Sequence, residues 1–205
     1  PEANEMYSRM MMISRRVEQA EQDGLDGENL YWARRELYRA QCNCSYWHGA
    51  FGGIYLPHLR NAVYNHLIAA ENLVDKATGR ADAYIEATVD DYNFDAHKEV
   101  CLANDRWVAL LAPAAGGHMY ELDVRAICHN LLATLTRRPE AYHRKVVAGA
   151  DSGADDCASI HDRVVFKQEG LDQQLQYDKH PRKSLVDHFY DNDVSIEAIR
   201  SGEAM

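Results

Sequence analysis

The chain has 205 residues, 46% of them apolar, and a formal net charge of −10, which is enough length for a real core in one or two domains. The acidic balance argues against a nucleic-acid footprint and against anionic membrane surfaces. No apolar run approaches the roughly 20 residues that cross a bilayer.

The N-terminal Pro1-Glu2-Ala3-Asn4-Glu5 lacks the basic start and apolar stretch of a signal peptide and has no initiator Met, so an internal start is the simplest expectation. Met6, Met10, Ile13 and Val17 then recur at spacings of four, three and four and predict a first helix. Residues 24–29 form a polar, glycine-containing turn. A second helix carries Leu30, Ala33, Leu37, Ala40, Cys44 and Trp47 as one seam, broken by Gly49, Gly52 and Gly53. Pro57 suits the first turn of a third helix, with Leu59, Val63, His66, Leu67, Ala70 and Val74 on its buried face.

Residues 75–80 read as a turn or linker, after which the period changes to two. Tyr84, Glu86, Thr88 and Asp90 alternate with Ala83, Ile85, Ala87 and Val89, the pattern of a half-buried strand. Short apolar runs at 100–103, 107–111 and 119–123 predict further strands. The fold class expected is α+β: a three-helix region over 1–76, then an antiparallel β-sandwich over 77–205 that is incomplete at Met205. Residues 149–156 read as an acidic loop, and His180-Pro181-Arg182 as a turn.

Five scattered cysteines, Cys42, Cys44, Cys101, Cys128 and Cys157, form no disulfide framework, so reduced thiols and a cytoplasmic setting are expected. On a helix Cys42 and Cys44 point about 200° apart, which excludes a shared zinc. Gln41, Cys44 and His48 fall on one helical face, where Gln41 and His48 can bind hydroxyl groups together or make a satisfied helix–helix contact. Trp47 is either a stacking platform with a free indole N–H or a core anchor on the seam. Asn43 lies nearer Trp47 and can brace the glycine turn. Asp91, Asn93 and Asp95, with Glu99 nearby, place oxygen ligands at alternate positions in a loop. They form either a calcium site or a solvated acidic turn. No cofactor is required, calcium is possible at these oxygens, and no redox cofactor is expected.

The stretch 34–53, which carries the run Gln41-Cys42-Asn43-Cys44-Ser45-Tyr46-Trp47-His48-Gly49, resembles the last conserved region of glycoside hydrolase family 57, in its branch of 4-α-glucanotransferases and α-amylases. Tyr120-Glu121-Leu122-Asp123 with the segment 130–143, and Pro181-Arg182-Lys183-Ser184-Leu185-Val186-Asp187-His188-Phe189, are similar in the same order to the family's C-terminal domain. The resemblance covers nearly the whole chain. It implies an enzyme that acts on α-1,4-glucans or maltooligosaccharides through a covalent glycosyl intermediate. The nucleophilic Glu and acid/base Asp would lie on an N-terminal barrel absent from this sequence. Retaining enzymes need two carboxylates about 5–5.5 Å apart, and no such pair is evident here.

The chain would then supply a substrate-site wall, with Gln41, Asn43, Cys44, Trp47 and His48 toward the glucan. Cys44 stands where the family pattern has Asp, and a thiol is a weak donor and acceptor, which implies altered sugar binding or a changed balance of transfer and hydrolysis. Arg137, Arg138, Glu140, Tyr142 and His143 are expected to make a salt-bridged contact with the helices or the barrel. The competing reading is a stand-alone carbohydrate-binding or scaffold module. A surface built to dock on the barrel would be sticky when alone and would drive homo-oligomers.

Overall fold

A computed structural model describes residues 1–47, 52–80, 82–141, 143–148, 170, 172–201 and 203. They divide into two compact units, one of residues 1–134 with 183–194, the other of residues 135–182 with 195–205. The predicted acidic loop at 149–156, Cys157, Tyr142, His48 and Gly49 lie outside the described residues.

The first unit opens with α1 (Glu2–Gln22), α2 (Glu28–Ala40) and α3 (Pro57–Ala77). Met6, Met10, Ile13, Val17 and Ala20 make one buried stripe of α1, and Glu2 and Glu5 in its first turn complement the helix dipole. Leu30, Ala33, Leu37 and Ala40 fill the seam of α2. Val63, Tyr64, Leu67, Ile68, Ala70 and Val74 line α3. Burying a side chain as large as Leu67, with none of its surface left exposed, contributes about 1.5–3 kcal/mol. None of the described helices is long and apolar enough to cross a membrane.

Two helix ends differ from expectation. The seam of α2 stops at Ala40, because Gln41 caps the helix and Cys42 turns to φ −59°, ψ 108° before a 3-10 turn over Asn43–Ser45. Cys44 and Trp47 therefore leave the seam and lie exposed. Conversely α3 runs through Asp75, which is buried, and closes where Thr78 Oγ1 donates to the Val74 carbonyl.

Five antiparallel strands follow as a meander: β1 (Ile85–Asp90), β2 (Glu99–Asn104), β3 (Trp107–Ala112), β4 (His118–Val124) and β5 (His129–Asn130), in sheet order β1-β2-β3-β4-β5. The strand runs were legible, but the polarity of the sheet was not. Cys101, Val108, Leu110, Glu121 and Asp123 share the face turned to the helices, in the registers Cys101 with Leu110, Leu110 with Glu121 and Val108 with Asp123. A β-bulge at Tyr120 turns that ring inward too, where Met12 of α1 packs against it with Leu110 and Ala112. The opposite face carries Ile85, Ala87, Val89, Val100, Leu102, Trp107, Ala109, Leu122 and Val124, and among the described residues no second sheet covers it. Ile85 there is 93% exposed and Leu102 46%.

Charge, not only apolar packing, joins helices to sheet. Arg9 is 1% exposed; its Nε donates to Glu121 Oε1 at 2.5 Å and its Nη2 to Glu71 Oε2 at 2.5 Å and Asp123 Oδ2 at 3.0 Å. Arg16 pairs with Glu71 and Asp75. Arg125 Nη1 donates to Asp75 Oδ2 at 2.8 Å and Asn72 Oδ1 at 2.9 Å, and its Nη2 donates to the Tyr84 hydroxyl. Burial alone would raise the Glu71 carboxyl, but Arg9, Arg16 and Arg125 outweigh it and hold it at about 2.

In the second unit Arg137 pairs with Asp178 through its main-chain N–H (2.7 Å) and its guanidinium (2.6 Å), and Arg182 Nε donates to the same carboxylate at 2.7 Å. Hydrogen bonds from Arg137 hold the Asp178 carboxyl far below its usual range. Arg137, one of the residues expected to make a salt-bridged contact with the helices or the barrel, is paired with Asp178 within this unit.

Candidate functional site

The segment after α2 is assembled by main-chain constraints. Gln41 ends the helix, and Tyr46 folds back so that its hydroxyl donates to the Ala40 carbonyl at 2.8 Å. Ser45 is buried beneath the turn. The Trp47 carbonyl accepts the Ile54 N–H at 2.9 Å. Gly53 has φ +51°, and a Cβ there would meet the Trp47 oxygen at 1.9 Å and the Cys44 oxygen at 2.9 Å, so only glycine lets the returning chain come this close. Arg60 of α3 anchors the same turn by donating Nη1 to the Ile54 carbonyl at 2.6 Å.

These constraints put Gln41, Asn43, Cys44 and Trp47 together on one exposed tip. They do not share a helical face, because the helix has ended; the tip presents them from a cap and a 3-10 turn. His48 lies outside the described residues. Trp47 is 51% exposed, which overturns the core-anchor alternative. Exposed Tyr38 on α2 and Tyr55 after the glycines lie on the elements that flank this tip. An exposed indole offers a flat apolar surface with one N–H donor, and amides offer both donors and acceptors. That set suits a neutral, hydroxyl-rich ligand. Cys42 and Cys44 are exposed free thiols. Gly53 was legible from sequence as one of the glycines that break the seam, whereas Tyr46 and Arg60 were not singled out.

The acidic loop does not carry the calcium reading. Asp91 accepts the N–H groups of Asp95 and Ala96 (both 3.0 Å), Asn93 accepts that of Asp95 (2.9 Å), Asp95 that of His97 (2.8 Å), and Glu99 those of Tyr92 (2.9 Å) and Asn93 (3.2 Å). Oxygens turned to main-chain donors hold the loop shape, including Phe94 and Ala96 at positive φ. Among the described residues no three His, Cys, Asp or Glu side chains converge as metal ligands.

Nor do buried carboxyls make a glycosidase pair. Glu121 and Asp123 have raised pKa values through burial and, for Asp123, its neighbour Glu121, yet both are 0% exposed and unreachable by a sugar.

Residues 91–205 match the model described as alpha-amylase/4-alpha-glucanotransferase, C-terminal, and residues 1–74 match that of the middle domain of the same enzymes. The chain is 36% identical to alpha-amylase 1 of Dictyoglomus thermophilum, over 96% of this chain and 27% of that protein. It is 37% identical to the 4-alpha-glucanotransferase of Thermococcus kodakarensis, over 98% of this chain and 28% of that protein. The crystal structure of 4-alpha-glucanotransferase from Thermococcus litoralis superposes with a TM-score of 0.69 at 31% identity, covering 98% of this chain and 25% of that one. The chain thus spans about a quarter of the length of the relatives it matches.

Proposed function

This chain belongs to the alpha-amylase/4-alpha-glucanotransferase family, and we propose that it forms the glucan-facing wall and C-terminal domain of a glycoside hydrolase family 57 enzyme. The substrate is an α-1,4-glucan or maltooligosaccharide, cleaved and passed to water or to another glucan. Gln41, Asn43, Trp47 and His48 face the sugar, and Cys44 takes the place of a carboxylate beside them. The observation that carries this reading is the exposed Trp47 indole on a tip whose backbone is fixed by Gly53. The two catalytic carboxylates are supplied by a barrel outside this sequence; within it the neighbouring pair Glu121 and Asp123, raised by burial, is sealed from a sugar.

The same reading divides the chain near residue 76 into a helical region and a C-terminal domain of β-sandwich type. The apolar outer face of the sheet supports it, since such a face is what a second sheet covers. Free thiols at Cys42, Cys44, Cys101 and Cys128 support a reducing, cytoplasmic setting.

The test is Trp47→Ala in the full-length enzyme. Loss of the platform lowers kcat/KM on maltooligosaccharides by about tenfold or more, the equivalent of about 1.4 kcal/mol, at an unchanged melting temperature. Unchanged kinetics in a folded variant removes Trp47 from the site. Tight glucan binding by the isolated chain would favour the stand-alone module instead.

A further inference from the structure

Glu121 and Asp123 alternate on β4 and both turn toward the helices, so their carboxyl groups are neighbours in a sealed space. Arg9 reaches each of them once, leaving Glu121 Oε2 and Asp123 Oδ1 buried with no donor directed at them. Two buried acceptors facing one another without a hydrogen between them are costly. The charges of the network agree. Arg9, Arg16 and Arg125 supply three positive charges, whereas Glu71, Asp75, Glu121 and Asp123 supply four negative ones if all are ionised. One proton makes the cluster neutral and turns the repelling oxygens into a hydrogen bond.

We propose that Glu121 and Asp123 hold one shared proton at neutral pH and that this proton locks the sheet onto α1 and α3.

The surroundings favour it from every side. From α1 comes Arg9, with Glu5 acting from further off on the nearby Tyr120 and Tyr64. From α3 come Glu71, a further negative charge, and Tyr64. On β2, Cys101 lies within reach of Glu121's charge, and Glu99 acts on Tyr120. On β3 the opposite positions are Leu110 and Val108, and on β5 Asp123 faces Asn130. Arg9 is thus the cation in contact with the pair, and its charge is shared with Glu71. Burial pushes both carboxyls up, Asp123 furthest, because the Glu121 charge adds to burial there.

The folded state therefore holds a proton that an unfolded carboxyl releases above about pH 4. Stability falls as pH rises from there to the raised folded value, by about tenfold in the unfolding equilibrium per pH unit, and levels off above it. This proposal is independent of the glucan reading.

The test is infrared spectroscopy of the whole folded chain with side-chain carboxyls of Asp and Glu labelled with carbon-13. A protonated carboxyl C=O band is expected at neutral pH in the unmodified chain, absent in Asp123→Asn, whose amide replaces the proton donor. In the same variant the decline of stability toward alkaline pH flattens. Glu121→Gln gives the same two results and serves if the first variant does not fold. A fully ionised set of carboxylates in the unmodified folded chain at neutral pH overturns the proposal, whatever the variants do.

Discussion

A Cβ built on Gly53 would lie 1.9 Å from the carbonyl oxygen of Trp47. The main chain that carries the exposed indole is therefore held by a residue six positions later that has no side chain. Any substitution at Gly53 must push the Trp47 carbonyl away and break its hydrogen bond from Ile54.

Gly53→Ala is expected to destabilise the chain by about 1–3 kcal/mol, the cost of overpacking and of left-handed backbone strain. Differential scanning calorimetry reads the loss. The near-ultraviolet circular dichroism of the tryptophans changes with it, because Trp47 moves. An unaltered melting temperature would mean that the turn relaxes freely.

Removing Arg9 leaves Glu71, Glu121 and Asp123 buried without their shared cation. Arg9→Met is expected to cost about 3–5 kcal/mol at neutral pH, measured by urea unfolding. The penalty shrinks on acidification, because protonating the carboxylates removes the uncompensated charge. A loss that is independent of pH would assign Arg9 a packing role only.

Glu71 gives the opposite slope to the carboxyl pair. Its carboxyl is held at about 2 in the folded chain, below its unfolded value. Its contribution is therefore present above about pH 4.3 and is lost as pH falls toward 2. Together with the decline above about pH 4 from Glu121 and Asp123, this places the maximum of the two contributions near pH 4. Thermal unfolding from pH 2 to 9 is expected to trace that maximum, and Glu71→Gln flattens its acid flank.

The outer face of the sheet is expected to make the isolated chain self-associate, because Ile85, Val89, Leu102 and Trp107 expose a contiguous apolar surface. Light scattering after size exclusion should give a mass that grows with concentration. The double variant Val89→Lys with Leu102→Lys should return it to a monomer. A monomeric unmodified chain at high concentration would count against a covered face.

Added calcium or a chelator should leave the melting temperature where it is, since the oxygens of Asp91, Asn93, Asp95 and Glu99 serve main-chain donors. A stabilisation that grows with calcium concentration would restore the cation reading.

Periodicity made the three helices and the strand runs legible, because Met6 to Val17, Leu30 to Ala40 and Val63 to Val74 keep their spacing in the core. It overran α2, since Cys44 and Trp47 continue the three–four spacing past a helix that Gln41 has already capped. Spacing records repetition but not the main-chain turn that ends it. The alternation at Tyr84 to Asp90 located β1, yet the apolar set Ile85, Ala87 and Val89 faces away from the helices, and Thr88 lies opposite Cys101. Which face is inside depends on what packs there, and that was hidden in Arg9, Glu71, Glu121 and Asp123. Each reads alone as a solvated charge, and only the fold brings them together. The tip residues were named through resemblance alone, while their exposure followed from Gly53 and the helix end.

The central claim, that the Trp47 tip faces glucan, is tested most directly by following the indole N–H resonances of the nitrogen-15-labelled full-length enzyme while maltoheptaose is added. The signals of Trp32, Trp47 and Trp107 are assigned by single substitution to Phe. The Trp47 resonance should shift with saturation while those of Trp32 and Trp107 stay in place. A Trp47 signal unmoved by saturating oligosaccharide, or a shift confined to Trp107 on the outer sheet, would contradict a glucan-facing tip.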